Sequence, residues 1–118
     1  MKALVASFAL IACHPHPRPA SPPPPVETAR AQIAAARAAL VEAEHQRAVG
    51  DDRTAYETTL RGVEALGRDY ARPTTKDDTG LHLLLAAELA KAEKFGEAAD
   101  EAIESLRSRI EQYEARYR

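Results

Sequence analysis

Leu81-His82-Leu83-Leu84-Leu85-Ala86-Ala87-Glu88-Leu89-Ala90, then Phe95-Gly96-Glu97-Ala98-Ala99-Asp100-Glu101-Ala102-Ile103-Glu104-Ser105-Leu106, is the stretch on which the fold turns. Apolar residues recur at spacings of three and four, which is helical periodicity. The first run predicts a helix over 80–94. It is apolar on most sides, so it is expected in the centre of the packing, with Leu85 covered. The second run predicts a helix from Gly96 to the end of the chain. Its stripe is Phe95, Ala99, Ala102, Leu106, Ile110, Tyr113 and Tyr117, with Ile103 beside it. Glu97, Asp100, Glu101 and Glu104 lie early in this helix and Arg107, Arg109, Arg116 and Arg118 late, which suits the helix dipole.

Working outward, the same period continues upstream. Residues 53–71 predict a second helix with the stripe Tyr56, Leu60, Val63, Leu66 and Tyr70, stopped by Pro73. Residues 27–49 predict a first helix with the seam Ala29, Ile33, Ala36, Leu40, Ala43 and Ala48, ended by Gly50. Asp51 or Asp52 is placed to cap helix two, and Asp78 or Thr79 helix three. The fold class is therefore all-α: about four helices in two antiparallel hairpins over residues 26–118.

His14 to Pro25 is a different polymer. It holds all but one of the eight prolines in the chain. Proline fixes φ and lacks the amide donor, so the segment reads as an extended polyproline II spacer. At about 3.1 Å per residue it spans on the order of 35 Å. The alternative is a ligand for a proline-reading partner. Upstream of it, Lys2 precedes an apolar run from Ala3 to Ala12, and then Cys13, the only cysteine. About ten apolar residues fall short of the 20 or so that a membrane span needs, and fit a signal segment.

Residues 1–13 resemble the signal peptide and lipobox of a bacterial lipoprotein, with Leu10-Ile11-Ala12-Cys13 as the box. The resemblance implies that residues 1–12 are removed and that 13–25 become a lipidated cysteine and its tether. The Cys13 thiol would receive the diacylglyceryl group as a thioether, and with it acyl chains such as palmitate. Ala12 would be the small residue before the cut, and Leu10 and Ile11 its apolar neighbours. His14 is not the aspartate that retains such proteins at the inner membrane in well-studied relatives. An outer-membrane protein facing the periplasm, with membrane lipid as its first partner, is then implied.

Helices three and four resemble one tetratricopeptide hairpin through Leu85-Ala86, Leu89, Phe95-x-Glu97-Ala98, Ala102 and Leu106. The first hairpin echoes it through Gly50-Asp51 and Ala55, with Asp52 where the family has an aromatic. Ile110 stands where the terminating proline is expected. Ala55 and Ala98 are also further apart than the family's repeat of about 34 residues. A plain four-helix bundle is the equal alternative. In a tetratricopeptide-like module the inner face of helices one and three holds the partner. Arg37, Glu44 and Arg47 then mark a partner face on helix one, the alternative being a solvated face.

Chemistry is sparse. With one cysteine, no disulfide forms within the chain. Ser105 and Ser108 lack nucleophile-elbow glycines, and His45 sits between Glu44 and Gln46 on a helix. His82 reads as a partly buried histidine satisfied by a carboxylate. His14 and His16 lack further metal ligands, and Asp77-Asp78-Thr79-Gly80 lacks calcium-loop spacing. No catalytic group, metal site or cofactor is expected. The chain has 16 basic and 18 acidic side chains, interspersed, so no nucleic-acid surface is expected. The leading function is a non-catalytic, lipid-anchored scaffolding or protein-interaction module. The alternative is a structural spacer that self-assembles, the Ala29, Ala36, Ala43 seam pairing with a second copy as a homodimer. A phage-type lysis-accessory lipoprotein ranks below both.

Overall fold

The computed structural model describes residues 24–67 and 78–117. The signal segment 1–12, Cys13, most of the tether, Tyr70 and Pro73 lie outside the described residues. The four described helices are α1 Val26–Ala48, α2 Asp52–Ala65, α3 Asp78–Lys91 and α4 Phe95–Ala115. Among the described residues there are no strands. The helices pack as two antiparallel pairs, α1 on α2 and α3 on α4.

The two hairpin turns share one geometry. At the end of α1, Gly50 adopts φ 87°, its N–H bonds to the Arg47 carbonyl at 3.2 Å, and the Asp51 N–H bonds to Gln46 at 2.9 Å. At the end of α3, Glu93 adopts φ 61°, its N–H bonds to Ala90 at 3.0 Å, and the Lys94 N–H bonds to Leu89 at 2.9 Å. Both are Schellman closures, in which a left-handed residue turns the chain and the next amide reaches back. Asp51 and Lys94 then accept from Ala55 and Ala98, opening the following helices. Glycine serves the first turn without a Cβ penalty, whereas Glu93 carries one.

Contrary to expectation, Asp51 stands at the N-cap of α2 but makes no side-chain cap bond. Asp52 accepts instead from Arg47 at 3.0 Å. Thr79 lies inside α3, which begins at Asp78, and its hydroxyl oxygen accepts from Gln112 at 3.1 Å. Helix α2 ends at Ala65, well before Pro73, because the chain leaves the helix through Leu66 and Gly67, the latter at φ 104°.

Helix α4, not α3, is the centre. It packs on α1, on α2 and on α3, whereas α3 packs substantially on α4 alone. Small residues make this possible: Ala98, Ala99, Ala102 and Ser105 are buried and let neighbouring backbones approach. The expected stripe is present in full depth at Leu106, Ile110 and Tyr113. Helix α3 buries Thr79, Leu83 and Ala86 but leaves Leu85 48% exposed, which corrects the expectation that it is covered. An apolar pattern on all sides says that burial would be favourable; it does not say that neighbours exist to provide it.

In α1, Ala29, Ala36 and Ala43 are buried as expected, while Ala48 is exposed. The seam is covered by the chain's own α2 and α4, so it is not open to a second copy. Helix α2 meets the core through Ala55, Val63 and, just past its end, Leu66, with a small polar patch beside them. Thr58, Thr59 and Gly62 are buried there, and Tyr56 and Leu60 are only half-buried. Thr59 Oγ1 donates to the Ala55 carbonyl at 2.7 Å, so its burial leaves no orphaned hydroxyl. A Cβ on Gly62 would lie 2.7 Å from Leu106 Cδ2 and 2.9 Å from Ala39 Cβ. Gly62 thus lets α2 approach α1 and α4 more closely than a Cβ would allow.

At the far end, Tyr117 stacks on Tyr113 with ring centroids 5.5 Å apart. Tyr117 Oη donates to the Pro24 carbonyl at 2.8 Å, and Tyr113 Oη donates to Gln32. At the turn end, Phe95 sits 6.3 Å from the Tyr56 ring, with the Arg53 guanidinium 5.4 Å from its centroid. That is a cation–π contact joining the two hairpins.

Candidate functional site

Arg37, Glu44 and Arg47 all face α4. Arg37 pairs with Glu114. Glu44 accepts from Arg107 at 3.5 Å. Arg47 grips Asp100 through two nitrogens at 2.8 and 3.1 Å, and its third reaches Asp52 at 3.0 Å. Because α1 and α4 are antiparallel, residues ascending one helix meet residues descending the other. The hydrogen bond from Arg37 to Glu114 holds its guanidinium above the ordinary pKa, and Asp100 does the same, more than Asp52, for Arg47. Both therefore stay charged throughout the usual pH range. The three residues named as a partner face thus form an ion-pair seam within the domain. Their partners on α4 were not singled out from the sequence; the interval of seven in Asp100, Arg107 and Glu114 was the available signal.

The opposite flank of α4 holds α3 by polar contacts. Ser105 Oγ donates to the Thr79 carbonyl at 2.9 Å and accepts from Arg109 Nε at 3.0 Å. His82 Nδ1 and Glu101 Oε2 are hydrogen-bonded, the carboxylate partner anticipated for this histidine. Ser105 and Arg109 are buried, which the sequence reading missed. These bonds fix the rotation of α3 about its axis. They turn Thr79, Leu83 and Ala86 inward and leave Leu81 and Leu85, each 48% exposed, outward. Leu81, His82, Leu85 and Glu101 line a shallow depression there.

Between the two flanks lies the outward face of α4. Glu97, Glu104 and Glu111 are exposed and recur every seven residues along it. Glu104 also accepts from Arg107 at 2.9 Å. His45 is exposed on α1. Among the described residues no group of three or more His, Cys, Asp or Glu is arranged to hold a metal ion. No helix among them is long and apolar enough to cross a membrane. Cys13 and the rest of the lipobox lie outside the described residues.

No protein-family model, no curated protein and no solved structure matches the chain. What fold and surface define among the described residues is an all-α domain of two helical hairpins, with polar and apolar features on its exposed faces.

Proposed function

We propose that the protein is a lipid-anchored, non-catalytic lipoprotein of a bacterial envelope, held on the periplasmic face of an outer membrane. Its helical domain mediates protein–protein interaction. The observation that carries this reading is Leu10-Ile11-Ala12-Cys13, after Lys2 and a short apolar run and before the proline-rich tether. The lipid supplies the address, the tether the reach, and the two hairpins the surface. A tetratricopeptide-like module is the finer form of this reading. The departure is α3, which does not stack on the first hairpin, so α1 and α3 do not build one inner face. The spacer reading loses its seam, because Ala29, Ala36 and Ala43 are used inside the domain.

The test is Cys13→Ser. Wild type should incorporate labelled palmitate and partition into the detergent phase. Each acyl CH₂ contributes about 0.8 kcal/mol to anchoring, and more than one chain is needed for stable retention. The variant should stay unlabelled, and either uncleaved or out of that phase. Normal cleavage and membrane retention of Cys13→Ser, with no acyl mass on wild type, would sink the proposal.

A further inference from the structure

We propose that the groove between α3 and α4 receives a cationic amphipathic helix of a partner protein. This rests on the interaction-module reading above and names the chemistry of its partner. One wall is apolar: Leu81 and Leu85 stand one turn apart on α3, each about half exposed. The groove floor is His82 with Glu101, whose hydrogen bond fixes both side chains. Beside the groove, on the adjoining outward face of α4, stand further carboxylates. Glu97 and Glu104 lie one turn either side of Glu101, and both are exposed. Arg107, the cation nearest along that helix, is already shared between Glu104 and Glu44.

Charge complementarity selects the occupant. A helix with leucine-like residues at i and i+4 can lay them on Leu81 and Leu85. Lysine or arginine on its flank then meets Glu97, Glu101 and Glu104. A second copy meeting this one groove to groove would bring the same carboxylates against themselves, which opposes that docking. An anionic lipid surface is repelled for the same reason.

The probe is a synthetic helix-forming peptide of leucine and lysine, leucines at every third and fourth position. Its control carries glutamate for lysine. Fluorescence anisotropy with the purified full chain reads binding, and circular dichroism reads the fold of each variant. The leucine–lysine peptide should bind and the control should not. Leu81→Ser with Leu85→Ser should weaken binding about tenfold or more, and Glu97→Lys with Glu104→Lys independently by a similar factor. If the leucine variant loses helicity, the glutamate variant decides. Equal binding by both peptides, or unchanged affinity in the glutamate variant, overturns the proposal. So does self-association of the full chain, seen by ultracentrifugation, that is abolished by the leucine changes. Acylation of Cys13 is read separately, so a failed groove and a failed lipid address are distinguishable.

Discussion

Gly62 and Glu93 occupy positions that ask opposite things of a side chain. Gly62 is helical but has no room. Alanine is worth up to about 1 kcal/mol over glycine in a helix interior. Here its Cβ meets Ala39 Cβ, which cannot rotate away, and Leu106, which is fully buried. Overpacking of about 1–3 kcal/mol should win, so Gly62→Ala lowers the denaturant midpoint with the slope unchanged. Glu93 has the reverse problem, a left-handed φ borne by a residue with a Cβ. That conformation costs roughly 1–2 kcal/mol, partly offset by the extra entropy of an unfolded glycine. Glu93→Gly should therefore stabilise the domain by about 0.5–1 kcal/mol, raising the melting temperature. An unchanged or lower midpoint would mean that the turn is not strained there.

Leucine content is a poor guide to which helix is central. Leu106, 0% exposed, should cost about 2–5 kcal/mol on truncation to alanine. Leu85→Ala, on the outer side of α3, should stay within about 0.5 kcal/mol. Equal losses in urea unfolding would mean that α3 is as covered as α4. The stripe of α4 was legible because Leu106, Ile110 and Tyr113 repeat at helical spacing and the helix does bury that side. The depth of α3 was not, because leucines on every side leave no phase to read. The signal for the central helix was the run of small residues Ala98, Ala99 and Ala102, since a helix with three neighbours needs close approach on several sides. Thr58, Thr59 and Gly62 were missed for a related reason. They read as polar or weak, yet they act by being small, and Thr59 satisfies its own hydroxyl locally. Of the site, the positions Arg37, Glu44 and Arg47 were visible as a periodic face. Their use was not, because ion-pair partners on α4 follow from tertiary pairing.

Across the whole domain, the α1–α4 seam joins helices that lie far apart in sequence. Arg37 is 53% exposed at its side chain and Arg47 36%, so each pair is largely screened by water. Exposed pairs contribute about 0.2–1 kcal/mol each. Reversing both, Arg37→Glu with Arg47→Glu, replaces attraction by repulsion against Glu114 and Asp100. The expected loss is on the order of 1 kcal/mol, with helical content kept. It should shrink as salt is raised through the range where the Debye length falls below about 10 Å. A loss that ignores ionic strength would assign these arginines a packing role instead.

The Tyr117 clasp on Pro24 decides how the domain bears mechanical load. Tension arriving along the chain ahead of Pro24 enters at the first turn of α1, the easiest place to peel a helix open. Because the Pro24 carbonyl is held by Tyr117, just past the end of α4, that pull is shared between the start of α1 and the end of α4. Tyr113, stacked on Tyr117 and bonded to Gln32, passes part of it one turn further into the core. The entry point of the chain is thereby a rivet through two helices rather than the loose end of one.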